Sequence, residues 1–302
     1  MDELKYVSAP KVLLYGTPGS GKTYSISTLL EAGMEVFVLG LEVGFEQTIL
    51  QAVQDKGLPY DKLHYSIIEH KTMGWDKLEK AATQMQSMSH EELIKVGFRP
   101  KGTLSATKTY IDNAGFKTYS KLLKQCHNFQ DVITGKEYGS ISNFKSNQVV
   151  VLDSLSALND AIMEHRYATK LALTQSDWQP IVKMQKMFLD NLVNGTEAMV
   201  VVLGHMQAIK DELTKAEKIS ISMIGQKLSQ EMPRIFTDII FTENDNGRFR
   251  WNTKVTKIIT KSRNLPIAST LEPSFVPLIE TVIGRDKDIL KQQKKGEATS
   301  NT

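Results

Sequence analysis

Gly16-Thr17-Pro18-Gly19-Ser20-Gly21-Lys22-Thr23 matches G-x-x-x-x-G-K-[ST] at every fixed position, and what flanks it decides the fold. The apolar run Val12-Leu13-Leu14-Tyr15 precedes it and reads as a short buried strand. A helical pattern follows from Thr23 to Ala32, closed by Gly33 where helices commonly end. Strand, Gly-rich turn and helix are the context the motif requires. Glycines let the backbone wrap closely and aim its N–H groups at phosphate oxygens, with the positive end of the helix behind them. Lys22 supplies a point charge for the β- and γ-phosphates, and Thr23 a hydroxyl for Mg²⁺. Gly16 to Thr23 is read as the binding loop of a nucleoside triphosphate.

Outward from the loop, strand and helix alternate. Strands are expected at Val36 to Leu39, Tyr65 to Ile68, Gln148 to Leu152 and Ala198 to Leu203, and helices at Phe45 to Gln54, 154–170 and 178–194. That alternation predicts an α/β fold with a mostly parallel central sheet. Thr237 to Thr242 and Arg248 to Thr256 read as strands around the turn Asn246-Gly247, a C-terminal β-hairpin. Residues 69–144 break the alternation with helical pieces near 75–86, 90–96 and 116–128, an insertion on a core of 1–68 and 145–285. The polar tail 286–302 is expected to be loose.

Val149-Val150-Val151-Leu152-Asp153 delivers a carboxylate at the C-terminal end of a buried strand, where ligands sit in open α/β sheets. Asp153 is the candidate partner of Thr23 at Mg²⁺; its alternative is a helix N-cap. Many P-loop ATPases place a Glu directly after this Asp, but residue 154 is Ser. The best substitute for orienting the attacking water is Glu42, after the second strand in VFVLGLEVGFEQ, with Glu46 its competitor.

These three pieces resemble the RecA-type ATPase core, the superfamily of RecA, the RadA-like recombinases and the DnaB-type helicases. The resemblance implies a RecA-like P-loop NTPase using ATP and Mg²⁺, with Glu42 as the catalytic carboxylate. It implies that the strand AMVVVLG, ending at His205, lies between the phosphate-loop strand and the Asp153 strand as a sensor strand. The family's usual residue there is Gln or Asn, so His205 departs from the pattern. Lys261-Ser262-Arg263 is similar to the family's basic pair that reaches the ATP of the neighbouring subunit, which implies a homo-oligomer, ring or filament. Within the superfamily, the likeness is strongest to phage-encoded single-domain proteins that support single-strand annealing. About ten residues precede the first strand, so the N-terminal domain of RecA, RadA or DnaB is not expected. Single-stranded DNA and a single-strand-binding protein are the partners this implies.

Charge is consistent with such a partner without proving it. The chain has 302 residues, 41% hydrophobic and 24% charged, with a formal net charge of only +3, an ordinary globular composition. Yet Lys95, Arg99, Lys101, Lys108, Lys117, Lys121 and Lys124 share their window with one acid, Asp112, and Arg248 to Arg263 holds six basic residues and no acid. Phe98, Tyr110, Phe116 and Tyr119 interleave with the first group, a pattern suited to stacking bases and meeting phosphates. Lys108, Lys117, Lys121, Lys124, Arg248 and Arg250 are the candidate DNA contacts, a solvated basic surface being the alternative. The lone Cys126 excludes an intrachain disulfide and a Cys-based zinc cage, and fits a reducing cytoplasm (the host's, if the chain is phage-encoded). No apolar run approaches a membrane span and the N-terminus lacks a signal-peptide pattern. Two other readings stay open: a DnaB-like helicase or replication motor, and a small-molecule kinase using the same loop.

Overall fold

Ten strands carry the fold in the computed structural model of the chain, which describes residues 9–68, 75–87, 89, 118–167, 175–210, 217–268 and 270–300. They are β1 Lys11–Gly16, β2 Glu35–Gly40, β3 Leu63–Ile67, β4 Phe129–Gln130, β5 Glu137–Gly139, β6 Gln148–Asp153, β7 Met199–Lys210, β8 Glu217–Ile221, β9 Asp238–Asp245 and β10 Arg248–Asn252. The main sheet runs β10-β9-β1-β7-β6-β2-β3, with β8 paired to β7. From β9 to β3 every neighbour is parallel, and only β10 and β8 are antiparallel. This is the mostly parallel α/β sheet expected, with β7 between the loop strand β1 and the Asp153 strand β6.

The central strands are apolar at every position because both faces of the sheet are covered. Leu13, Tyr15, Phe37, Val150, Leu152, Val200 and Val202 face one core, with Leu158 and Ala161 of helix Leu155–Tyr167 and Ile181 and Phe188 of helix Trp178–Asn194. Val12, Leu14, Val36, Val38, Val151 and Val201 face the other, with Ile26, Leu29, Ile49, Phe275 and Leu278. The helix after the loop is split at Ile26 into Lys22–Ser25 and Ser27–Glu31. Among the described residues, no helix is long and apolar enough to cross a membrane.

Residues 118–144 pack on the core: Tyr119, Leu122, Phe129, Ile141 and Phe144 are buried in it. Phe129, Tyr138 and Phe144 surround Phe37, with ring centroids 5.2, 5.0 and 4.4 Å away. Helix Trp75–Gln86 and a helix over 118–127 match the helical pieces, while 90–96 lies outside the described residues. The polar tail forms the end of helix Val276–Ser300, anchored by buried Leu278, Ile279 and Val282. Its Lys, Gln and Glu are straight-chain residues that favour helix without needing a core.

One expectation changes after β10. The strand read over Arg248 to Thr256 ends at Asn252. Lys257 takes a left-handed φ of 66°, and single bridges join Ile258 to Ile219 and Lys261 to Ile239. The segment divides its pairing between two elements, which interrupts the ladder.

Candidate active site

Gly16 ends β1 where no side chain fits: a Cβ there would lie 2.1 Å from the Thr242 carbonyl oxygen on β9. The loop is pinned from the same strand, with Ser20 Oγ and Thr242 Oγ1 2.6 Å apart and Asn244 Nδ2 donating to Gly19 O at 3.3 Å. Gly21 has φ +81°, and Phe249 of β10 packs over it so closely that a Cβ would meet the ring at 2.9 Å. Lys22 lies folded back on the loop, its Nζ donating to Thr17 O at 2.8 Å and Ser20 Oγ at 3.3 Å. Burial lowers its pKa against the opposing pull of Glu42 and Asp153. This is a buried ammonium resting on carbonyls that a phosphate can replace.

Asp153 ends β6, 2% exposed, and accepts a hydrogen bond from Thr23 Oγ1 at 2.8 Å. Burial first, and then the charge of Glu42, push its carboxyl up to about 7, with the Thr23 bond and Lys22 pulling the other way. Asp153 is not the helix cap; Ser154 Oγ instead accepts from Ala157 N at 3.4 Å. Thr23 and Asp153 are hard oxygen donors side by side at the loop, which suits Mg²⁺. A buried carboxylate raised toward neutrality is one that a cation would ionise. Among the described residues no cluster of three or more His, Cys, Asp or Glu could hold a metal.

Glu42 arrives from β2. The backbone N–H groups of Leu41 and Glu42 donate to Asp153 O at 2.6 and 3.3 Å, stapling the end of β2 to the end of β6. Glu42 Oε1 accepts a hydrogen bond from Ser154 Oγ and lies 3.1 Å from His205 Nε2. His205 is directly opposite Gly16 in the β1–β7 ladder, which puts it beside the loop. Glu46 lies half-buried in the first turn of helix Phe45–Asp55. Lys22, Thr23, Glu42, Asp153 and His205 thus converge at the C-terminal edge of the parallel sheet.

The remaining candidates separate. Lys261 bridges Ile239 near the start of β9, whereas the loop abuts Thr242, a separation of about 10 Å along the strand. Lys261 Nζ donates to Phe236 O, and Arg263 N donates to Asp238 Oδ1 at 2.8 Å. Neither residue is brought to this chain's own loop. Arg248 and Arg250 line a cavity of about 590 Å³ beside the loop, with Gly21, Tyr24, Phe249 and Leu271, and Arg250 pairs with Asp245 at 3.2 Å. Lys121 and Lys124 lie on the helix over 118–127, and Lys108 and Lys117 lie outside the described residues.

Sequence reading missed Ser154, Thr242 and Phe249. Ser154 had a signal, its position directly after the strand-end carboxylate. Thr242 and Phe249 meet the loop only through strand pairing more than 200 positions away, which no local pattern reports.

A family model described as an AAA domain matches residues 8–264. No protein of curated function matches the chain. The crystal structure of the RadB recombinase is similar over 83% of this chain and 84% of that one, at 10% identity and a TM-score of 0.37. An ATPase from the type III secretion system of pathogenic bacteria is similar over 78% of this chain and 52% of its own, about half its length, at 11% identity and a TM-score of 0.37.

Proposed function

The chain belongs to the AAA domain family and is an ATP hydrolase; from that premise we propose that it is a RecA-like, Mg-ATP-dependent ATPase acting on single-stranded DNA, in recombination or single-strand annealing. The observation that carries the chemistry is the convergence of Thr23, Asp153 and Glu42, from three separate elements, beside Lys22. Lys22 exchanges the Thr17 carbonyl for the β- and γ-phosphates. Thr23 and Asp153 would hold Mg²⁺, which when bound neutralises charge on the phosphates. Glu42 accepts a hydrogen bond from the attacking water and aligns it. His205, opposite Gly16 in the β1–β7 ladder, is the sensor. The cavity bordered by Tyr24, Phe249 and Leu271 has the volume for base and ribose, about 590 Å³.

The DNA assignment is supported by the concentration of basic charge and by the course of β7. The strand carrying His205 runs on to Lys210 and returns as β8, pairing Met206 with Ile221 through Lys210 with Glu217. A ligand on that hairpin would thus lie on the same strand as a residue touching Glu42. Lys108, Lys117, Lys121 and Lys124 supply further phosphate contacts in this reading, and the single-strand-binding protein is a partner on the same substrate. The assembly is a homo-oligomer in the cytoplasm, in which Arg263, exposed on a backbone held by Asp238, reaches a neighbour's ATP with Lys261 beside it.

The deciding experiment is ATPase activity with and without single-stranded DNA, read alongside oligomer mass. Stimulation by single strands without unwinding of a forked duplex is the expected result. Unwinding would make the chain a helicase motor, and turnover only with an added small-molecule acceptor would make it a kinase.

A further inference from the structure

Two donors converge on one oxygen of Glu42. Ser154 Oγ donates to Oε1, and His205 Nε2 lies 3.1 Å from the same atom. Among the described residues nothing engages Oε2. The Ser154 hydroxyl has one proton, given to Glu42, while its lone pair accepts from Ala157 N. At 1% exposure it cannot turn to solvent. His205 Nδ1 is buried and has no partner among the described residues. With its proton on Nε2, the ring donates to Glu42 Oε1. The backbone enforces the meeting, since Leu41 and Glu42 N–H groups both bind Asp153 O, one residue before Ser154.

We propose that Ser154 is a positioning residue for hydrolysis: with His205 it fixes Glu42 through Oε1, leaving Oε2 to the attacking water. This rests on Glu42 as the catalytic carboxylate. A carboxylate on a loop turns freely about its terminal bond, and two hydrogen bonds to one oxygen remove that freedom before ATP arrives. The residue after the metal carboxylate then supplies the orienting hydroxyl, and the base itself comes from the neighbouring strand.

The test is single-turnover hydrolysis and fluorescent-nucleotide affinity in the full chain, for wild type, Ser154→Ala, Ser154→Thr, Glu42→Gln and the Ser154→Ala/Glu42→Gln double variant. Ser154→Ala should lower the hydrolysis rate on the order of tenfold, the worth of one charge-assisted hydrogen bond, with nucleotide affinity unchanged. Ser154→Thr keeps the hydroxyl and should recover most of the rate. The double variant should be no slower than Glu42→Gln alone, because Ser154 acts through that carboxylate. A wild-type rate in Ser154→Ala with a lowered melting temperature would reduce Ser154 to a helix cap and overturn the proposal, as would additive losses in the double variant. A wild-type rate in Glu42→Gln would overturn the assignment of the base itself.

Discussion

Thr23 and Asp153 stand 130 positions apart in sequence and 2.8 Å apart in space, the threonine hydroxyl donating to one carboxylate oxygen. Thr23 sits in the helix Lys22–Ser25 that opens after the loop behind β1, and Asp153 is the last residue of β6. With β7 between those strands, the carboxylate faces the loop across one intervening strand.

A pH dependence follows for the nucleotide-free chain. The Asp153 carboxyl is raised by burial to about 7 from its ordinary 3.8. A raised pKa stabilises the folded state below the unfolded value, and this contribution is lost as pH rises through the folded one. Stability should therefore decline between about pH 4 and pH 7 by an Asp153-dependent amount. Asp153→Asn should melt higher than wild type at pH 8 in chelator and lose that advantage near pH 4. The same variant should be inactive with Mg-ATP. An advantage independent of pH would mean that the carboxylate is not the group responsible.

Removal of the loop ammonium should be decisive for ATP. Lys22→Ala should lose triphosphate affinity and turnover, since no other cation among the residues around the loop reaches Thr17 O and Ser20 Oγ as Lys22 Nζ does. Titration with a fluorescent triphosphate and a turnover assay check both. The fold should persist, because Lys22 only borders the apolar core.

Glu42→Gln should bind Mg-ATP and hydrolyse it at least about a hundredfold more slowly, the usual scale for loss of a general base. Glu46→Gln should hydrolyse at nearly the wild-type rate, because the carboxylates whose charge acts on Lys22 are Glu42 and Asp153. Measuring both variants under single-turnover conditions separates them; a slow Glu46→Gln would move the base one helical turn along.

How far the sequence could be read differs between parts of the site. Gly16 to Thr23 was legible because phosphate binding is local chemistry, encoded in eight consecutive residues, and Asp153 because a buried strand announces its own end. Glu42 was preferred to Glu46 by its place directly after the second strand, and the resemblance pointed to the same residue. The contact of Ser154 with Glu42 depends on the parallel register of β2 with β6, where Gly40 meets Asp153, and single-sequence patterns carry no register. The basic alternation of Arg248 and Arg250 suggested a nucleic-acid face. Its apolar partner Phe249 closes on Gly21 instead, because the β9–β10 hairpin pairs alongside the loop strand.

That placement separates two kinds of basic residue. Neutralising Lys117, Lys121 and Lys124 should weaken single-strand binding and flatten its salt dependence, each lost phosphate contact reducing the log–log slope by about 0.7. Arg248→Ala, beside the cavity at Gly21, should weaken nucleotide binding and leave that slope unchanged. Fluorescence anisotropy with a single-stranded oligonucleotide across a salt series measures the first effect, and nucleotide titration the second. An unchanged slope in the lysine variant would make that stretch a solvated surface only.

Arg263 supplies the last prediction. Its backbone is fixed by Asp238, a fully buried carboxylate that accepts from the N–H groups of Arg263 and Asn264 and from Asn264 Nδ2 at 2.8, 2.9 and 2.6 Å. The Arg263 side chain is exposed, and it starts near the opposite end of β9 from this chain's phosphate loop. Lys261 is less available, because its ammonium is bound to Phe236 O. An arginine held this way can serve a second copy's ATP, where a planar guanidinium neutralises charge building on the γ-phosphate. Arg263→Ala and Glu42→Gln proteins should each be inactive alone. Mixed, they form some interfaces with an intact Glu42 on one side and an intact Arg263 on the other, and part of the ATPase activity should return. Arg263→Lys should recover little, since an ammonium cannot reproduce the two-pronged contact. Proven co-assembly without any recovery would place Arg263 outside the neighbour's site.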